Sequence, residues 1–305
     1  MTNTFLFVLA MLLAPADEAP APRWGAIMCY DPATKSVLMF GGNDNERIYG
    51  DLWSYSRNKW KKLAEHGPQP RVKFAFAYDP KRNVAVLFGG AGDNGRLGDT
   101  WEWDGKSWTE FKGNGPAPRL HSMAEFDPQS NRIILKGGFC DGSCKDTWAF
   151  DGKSWTELID AGSEGDIPHG MFVDQTTHRL QLISATYDPQ KKNMNNTKWT
   201  LNNGRWEAPE KIPSTSSGSL QSMTCAGGSD IIIFDGDDVK DGVPATIRFS
   251  NGKWYKEYLK GPTTRLAIGL IYNPDLGGVL LFGGSDRTNF FNDTWLLKNN
   301  RWTKV

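Results

Sequence analysis

The chain has 305 residues, and its 35 basic and 35 acidic side chains balance to a formal net charge of zero. Without a basic stripe or a polybasic helix, this balance argues against a nucleic acid or a membrane surface as partner. Hydrophobic residues make up 39% of the chain, which is enough for a sizeable core. The 13 tryptophans indicate a repeated structural role, because a large ring is costly to leave exposed.

The first element in chain order is a short apolar run between Phe5 and Leu13. Small residues follow at 14–16, and Asp17 and Glu18 come next. This order predicts a signal peptide over residues 1–16, cleaved near Ala16, and therefore a secreted or periplasmic protein. Because residues 1–4 carry no Lys or Arg, a disordered leader or a mis-assigned start is the alternative. The run is too short for a transmembrane helix, and we expect no membrane span elsewhere.

Six repeats then occupy the rest of the chain. Their clearest marker is a tryptophan every 47 to 51 residues, at Trp60, Trp108, Trp155, Trp206, Trp254 and Trp302. A second tryptophan lies seven positions earlier in every unit except the fifth, where Ile247 takes its place. The units cover about residues 20–63, 68–111, 115–158, 165–208, 213–258 and 261–305. A period near 50 predicts one propeller blade per unit.

The second unit shows the four strands expected of each blade. Phe74–Tyr78 is the predicted first strand, and the apolar run Val84–Phe88 is the second, buried on both faces. After a polar loop, Thr100–Trp103 is the third strand, and Asp104-Gly105 supplies the hairpin turn into the fourth, Trp108–Phe111. No helical periodicity competes with this pattern.

The repeat resembles the kelch repeat. The motif reads Leu87-Phe88-Gly89-Gly90, then Asp99-Thr100-Trp101, then Trp108, and it recurs at Leu281-Phe282-Gly283-Gly284, Asp293-Thr294-Trp295 and Trp302. Ile183-Ser184 and Asp235-Gly236 replace the Gly-Gly pair in units four and five. Similarity to the kelch-repeat β-propeller family implies an all-β, six-bladed β-propeller of four-stranded blades, forming one domain over residues 17–305.

Propeller geometry places the crossover into each first strand and the loop from second to third strand on one face. An arginine lies 18 residues before each Gly-Gly pair, and the four are Arg23, Arg71, Arg119 and Arg265. The longest loops are 43–50, 91–98, 139–145, 185–196, 237–242 and 285–292. One hypothesis is that the arginines bind an anionic ligand, because a guanidinium fork suits carboxylates. The alternative is that each arginine braces its crossover or pairs with an Asp of a neighbouring blade.

Three further residues complete the predicted ligand-binding set. His121 lies near the start of a first strand, so it is expected near the channel mouth. Phe290 and Phe291 are adjacent in the sixth loop and offer apolar contact, with packing under their own loop as the alternative.

The cysteines leave a choice open. Cys140 and Cys144 form a small loop-closing disulfide in an oxidising compartment, or two free thiols otherwise. Cys29 and Cys225 lie in apolar stretches and are predicted to be small buried side chains.

No nucleophilic triad, phosphate loop or metal-ligand spacing is found, so we predict no cofactor and no metal. Copper oxidases similar to kelch proteins use two His, two Tyr and a Cys, and no matching Tyr and Cys set is found here. We predict a non-catalytic, monomeric extracytoplasmic binding or scaffold protein that recognises a protein or an anionic glycan. The alternative is a cofactor-free epimerase or mutarotase acting on an acidic sugar at the channel mouth, with Glu46, Glu125 and His121 as candidate groups.

Overall fold

The computed structural model describes residues 19–158, 167–188, 190, 193–212, 223–225 and 230–305. Within these residues every regular element is a β-strand. The predicted signal peptide lies outside the described residues, as do parts of the fourth and fifth predicted blades.

The first three blades are built from the following strands: β1 Ile27–Asp31, β2 Ser36–Phe40, β3 Leu52–Ser56, β4 Lys59–Ala64, β5 Ala75–Asp79, β6 Val84–Gly92, β7 Gly95–Trp103, β8 Trp108–Phe111, β9 Met123–Asp127, β10 Arg132–Lys136, β11 Phe139–Cys140, β12 Gly142–Ser143, β13 Thr147–Phe150 and β14 Trp155–Leu158. The last three blades are built from β15 Ile167–Asp174, β16 Arg179–Asp188, β17 Asn193–Asn202, β18 Arg205–Ile212, β19 Met223–Cys225, β20 Ile231–Lys240, β21 Val243–Ser250, β22 Lys253–Glu257, β23 Gly269–Asn273, β24 Gly278–Phe282, β25 Thr294–Lys298 and β26 Arg301–Lys304.

Each blade is an antiparallel sheet of four strands that are paired in chain order. The third blade carries an insertion, the small hairpin β11–β12 between its second and third strands. The first strands of neighbouring blades lie side by side around the whole ring and form its inner wall. The predicted all-β, six-bladed β-propeller is confirmed.

The prediction of irregular loops is wrong in detail for three connections, which are extensions of the second and third strands. In blade 2 the ladder continues beyond the Gly-Gly pair, with Gly90 opposite Leu97 and Ala91 opposite Arg96. Most of the predicted loops 185–196 and 237–242 is likewise paired in the hairpins β16–β17 and β20–β21. Continuing the ladder gives the backbone N–H and C=O groups partners that an irregular loop would leave to water. Composition alone did not distinguish a polar hairpin from a polar loop.

The core lies between blades, where apolar faces of adjacent sheets pack against each other. Between blades 2 and 3, the Trp155 ring stacks on Phe150 with centroids 4.8 Å apart and meets the edge of Phe88 at 5.4 Å. Ile133 and Leu135 of the second strand of blade 3 complete this buried cluster. The alternating apolar residues of each strand therefore serve two interfaces, one on each face of the blade.

The ring closes without exchange of a strand between blades 1 and 6 in the described chain. Met39 and Trp53 of blade 1 pack with Leu280 and Phe282 of blade 6 in one buried cluster. On the rim, the Arg23 N–H donates to the Phe291 carbonyl at 3.0 Å. Side-chain packing and backbone hydrogen bonds join these blades, as they do elsewhere in the ring.

No helix in the described ranges is long and apolar enough to cross a membrane.

Candidate functional site: loop face and central channel

The crossovers and the second-to-third-strand connections share one face, which we call the loop face. In four blades the crossover residue after the arginine forms a β-bridge with the connection of its own blade: Trp24 with Asn43, Val72 with Ala91, Leu120 with Phe139, and Leu266 with Ser285. The predicted placement of both segments on one side of the ring agrees with these bridges.

The arginines of the loop face lie inside the protein. Arg71 is 0% exposed, and its Nη1 and Nη2 atoms each donate to a carboxylate oxygen of Asp99 at 2.7 Å. Its Nη1 also donates to the Gly89 carbonyl at 2.9 Å, and its Nε to the Gln69 carbonyl at 2.8 Å. The guanidinium therefore joins its own crossover to the second and third strands of its blade.

The same arrangement recurs in three other blades. Each arginine pairs with the aspartate that precedes the third strand and with the first glycine of the Gly-Gly pair: Arg23 with Asp51 and Gly41, Arg119 with Asp146 and Gly137, and Arg265 with Asp293 and Gly283. All four arginines are at most 2% exposed. We call each Arg–Asp pair with its backbone contacts a clasp.

Each aspartate of a clasp accepts a third donor, the indole N–H of the tryptophan two residues later. Trp101 donates to Asp99 at 2.7 Å, and Trp53, Trp148 and Trp295 make the same bond. Burial raises the pKa of these carboxyl groups, but the hydrogen bonds and charge of the arginines outweigh it, so the pKa of each lies below its ordinary value of 3.8. The aspartates are therefore ionised partners of the arginines at neutral pH.

Contacts with the next blade explain why glycines occupy both positions of the Gly-Gly pair. The Gly90 N–H donates to the Arg119 carbonyl at 2.8 Å, and Gly42 and Gly284 make the corresponding bonds to Arg71 and Arg23. A Cβ on Gly89, whose φ is +65°, would lie 2.8 Å from that same Arg119 carbonyl oxygen. The clasp of one blade thus sits against the glycines of the blade before it, where a side chain has no space.

These contacts are those of the bracing alternative. The guanidinium groups are buried and paired, so they do not present free donors to a ligand. The aspartates were missed as partners, although the signal was present in the sequence, where each lies two positions before a repeated tryptophan. Ligand binding by Arg23, Arg71, Arg119 and Arg265 stays a prediction.

The two phenylalanines that were predicted to contact a ligand differ in their surroundings. The Phe291 ring covers the Arg265 guanidinium with 3.9 Å from Cζ to the ring centroid, as Tyr49 covers Arg23 at 3.8 Å. Phe291 is therefore part of a clasp. Phe290 is partly exposed and forms a β-bridge with Ser285 across its own loop.

Four residues with left-handed backbone lie on the loop face, between the clasp arginines and the first strands. Each lies two positions after a clasp arginine, and φ is +69° at Gly25, +58° at Lys73, +58° at His121 and +50° at Ala267. The His121 N–H donates to the Lys73 carbonyl at 2.7 Å, and the Gly25 N–H to the Ala267 carbonyl at 2.8 Å. Burial and the neighbouring Lys73 charge lower the pKa of His121. His121 lies two residues before the first strand of blade 3, and its part in ligand binding stays a prediction.

The connections on the loop face are linked across blades. Arg96 of the blade 2 hairpin pairs with Asp141 of blade 3, and Arg287 of blade 6 pairs with Asp237 of blade 5 at 3.3 Å. The disulfide Cys140–Cys144 closes the blade 3 hairpin, which settles the choice that the sequence left open. Phe139 at the base of this hairpin is 38% exposed and meets the His121 ring edge to face at 5.9 Å.

The central channel contains a cavity of about 590 Å³. The first strands of blades 1, 2, 3, 4 and 6 line it, from the level of Ser122 and His169 to the turn prolines at the opposite end. Glu125 lies in this wall, whereas Glu46 is exposed on a loop of blade 1. His121 and Glu125 are four residues apart on nearly extended chain, on the order of 13 Å. The three candidate groups of the enzyme alternative are thus not brought together.

Among the described residues, no group of three or more His, Cys, Asp or Glu side chains is placed to hold a metal ion. Cys29 is a free, buried thiol, as predicted, and burial raises its pKa. The side chain of Cys225 lies outside the described part.

Six four-stranded antiparallel blades around a channel, with their connections gathered on one face, define this protein as a six-bladed β-propeller. Residues 10–183, more than half of the chain, match the family model of the KLHDC2/KLHL20/DRC7 Kelch-repeats domain. The chain belongs to the kelch-repeat family.

Comparison with solved structures supports the fold. A structure described as "Structure of YjhT" superposes with a TM-score of 0.67 at 17% sequence identity, covering 94% of this chain and 99% of that one. At this identity the likeness shows the fold alone. No characterised protein sequence matches the chain.

Proposed function

We propose that this protein is a secreted or periplasmic binding protein, active as a monomer, whose loop face recognises a partner protein. The observation that carries the proposal is the exposed Phe139 beside Lys73 and His121 on the loop face. Aromatic residues are enriched at the centre of protein interfaces, where a few such anchors carry most of the binding energy. Kelch-repeat propellers offer such a face on a rigid scaffold, which suits recognition.

The surroundings of Phe139 support a fixed recognition surface. The Cys140–Cys144 bond restrains the hairpin that begins at Phe139, and the Arg96–Asp141 pair holds its tip against blade 2. Because the anchor is already ordered, less conformational entropy is lost on binding. The positive charge of Lys73 beside His121 favours a partner that presents an apolar residue next to a carboxylate.

The extracytoplasmic location is supported by two independent features. One is the apolar leader followed by small residues at 14–16. The other is the Cys140–Cys144 disulfide, since such bonds persist mainly in oxidising compartments.

The test is cross-linking of the mature protein to extracytoplasmic proteins of its host, with Phe139→Ala as the variant and Tyr255→Ala as the control. Tyr255 is 42% exposed on the outer strand of blade 5. The control substitution therefore removes an aromatic ring of similar exposure at a position away from the loop face. A partner captured by wild type and by Tyr255→Ala, and lost with Phe139→Ala, supports the proposal. Equal capture by both variants refutes it.

An anionic glycan in place of a protein is the other ligand predicted from the sequence. A panel of acidic oligosaccharides tested against the same three proteins and against Lys73→Ala separates the two cases. Glycan binding that depends on Lys73 and not on Phe139 would replace the protein-partner proposal. The sugar-processing enzyme stays the alternative prediction.

A further inference from the structure

The wall of the central channel has an unusual composition. Among the described lining residues, the partly exposed aromatic and methionine side chains are Tyr30, Met123, Met171 and Tyr272, and buried aromatic residues of the inner strands such as Phe74 lie behind them. Neither Lys nor Arg is present among these lining residues, and Glu125 is their single carboxylate. The remaining groups that can titrate there are Cys29, His169, His178 and the tyrosines.

Glu125 lies on the inner strand β9 of blade 3, two residues before the turn. Its Oε1 accepts a hydrogen bond from the Phe126 N–H at 2.9 Å, and no ion pair of Glu125 is found in the described structure. Burial in this wall raises the pKa of Glu125 to about 7. A positive charge placed beside such a carboxyl group stabilises its ionised form, which burial has deprived of solvation by water.

The end of the channel nearest Glu125 is surrounded by further carboxylates. Four inner strands end in a buried aspartate that accepts backbone N–H bonds from its own turn, at Asp31, Asp79, Asp127 and Asp174. Basic side chains are also present at this end, where Arg82 pairs with Asp79 and Glu102 and Lys35 pairs with Asp275.

A second polar group in the cavity lacks a partner. Ser122 is 4% exposed, lines the cavity, and its Oγ forms no hydrogen bond within the described structure. A buried hydroxyl without a partner costs free energy, and a ligand that supplies a hydrogen bond recovers it. Ser122 lies three residues from Glu125, about 10 Å along the strand.

We propose that the central channel is a second binding site, specific for small organic cations of the alkylammonium or quaternary ammonium class. The ammonium group pairs with Glu125, its alkyl substituents contact the aromatic rings and methionines, and a polar end of a longer ligand reaches Ser122. Aromatic faces attract such cations through their quadrupole, and methionine adapts to irregular apolar shapes. The site is separate from the loop face, so it goes beyond the proposed function and does not depend on it.

The experiment compares two probes of the same shape, choline and its neutral carbon analogue 3,3-dimethylbutan-1-ol. Calorimetric titration of the mature protein is done at about pH 8, where Glu125 is mostly ionised. We expect choline to bind wild type at least about tenfold more tightly than the neutral analogue. Equal binding of the two probes, or binding of neither, overturns the proposal without a variant.

The variants then assign the charge. Glu125→Gln keeps the shape of the side chain and should abolish the preference for choline, whereas Glu46→Gln removes an exposed loop carboxylate and should leave it unchanged. A preference that persists in Glu125→Gln places the site elsewhere and also overturns the proposal. If Glu125→Gln does not fold, Ser122→Ala is tested with a longer hydroxyalkyl trimethylammonium probe, whose affinity should fall while that of choline stays the same. Loss of neither affinity contradicts the assignment.

Discussion

The indole N–H of Trp60 donates to the Thr294 hydroxyl at 2.9 Å, joining blade 1 to blade 6 across 234 positions of sequence. The same bond links the outer-strand tryptophan of three other blades to the third strand of the blade before: Trp155 to Thr100, Trp206 to Thr147 and Trp302 to Thr246. The closing junction of the ring therefore uses a contact that recurs at three other junctions. Two junctions lack the threonine, because Lys198 occupies its position in blade 4 and Leu52 occupies it in blade 1. Blade 2 is thus an exception, and its Trp108 Nε1 is buried without a partner.

This exception predicts a difference between two matched substitutions. Trp155→Phe breaks the bond to Thr100 and leaves that hydroxyl unpaired, whereas Trp108→Phe removes a donor that has no partner. Beyond the shared loss of ring contacts, we expect Trp155→Phe to cost about 1–2 kcal/mol more free energy of unfolding. Urea denaturation of both variants measures the difference. Equal losses would show that the hydrogen bond contributes nothing net.

The clasps predict that Arg71→Ala is strongly destabilising. The substitution leaves Asp99 half-buried and without its partner and also frees the Gly89 carbonyl. Breaking one side of a buried pair costs about 3–5 kcal/mol. Denaturant unfolding checks this, with Arg287→Ala as control, because that exposed arginine forms only a surface pair with Asp237. The control should change stability by less than about 1 kcal/mol. A similar small effect at Arg71 would contradict the structural role of the clasp.

The same clasps predict an acid limit to stability. Since the pKa of Asp51, Asp99, Asp146 and Asp293 is lowered on folding, their contribution is present above the ordinary value of 3.8 and is lost as pH falls below it. Each carboxyl group adds at most about 1.4 kcal/mol per pH unit to this loss. The contribution of these aspartates to the free energy of unfolding should therefore be steady from pH 6 to about pH 4 and then fall steeply. A steady free energy of unfolding down to about pH 2 would contradict the lowered pKa values.

The raised pKa of Glu125 predicts that the free energy of unfolding depends on pH in the opposite direction at higher pH. Its pKa is raised from 4.5 to about 7, so the folded state binds more protons than the unfolded state between these values. The free energy of unfolding contributed by Glu125 thus falls as pH rises through this window. Glu125→Gln should lose this dependence, and the difference between wild type and variant isolates it from the histidines. A difference that does not change between about pH 4.5 and 7 would place the pKa of Glu125 near its ordinary value.

The leader and the disulfide are tested together by intact-mass measurement of protein recovered from its host. We expect an amino terminus near Asp17 and a mass two hydrogens below that of the reduced chain, because Cys140 and Cys144 are joined. Alkylation under native conditions should modify neither residue of the pair until a reductant is added. A full-length chain with both thiols alkylated would place the protein in a reducing compartment.

The architecture was predictable because its markers are local and repeated. The tryptophan ladder, the turn dipeptides and the Gly-Gly pairs identified six blades, and strand β8 was predicted to the residue. The pairing of Arg71 with Asp99 was not predicted, since it joins positions 28 residues apart whose proximity depends on the closed blade. The extended hairpins of blades 2, 4 and 5 were taken for loops, because their polar residues carry no strand signal. Glu125 was noted in the sequence, but its position without a basic partner in the channel wall follows from the meeting of the blades around the channel.

Burial of the arginines also determines how the loop face attracts a partner over distance. Each of the four positive charges is neutralised by a carboxylate in direct contact, so the clasps act as short dipoles whose field fades within a Debye length, about 8 Å at physiological ionic strength. A partner approaching this face meets no basic arc to guide it. Its association rate should therefore depend little on salt and should lie in the range set by diffusion and orientation, about 10⁵–10⁷ M⁻¹s⁻¹.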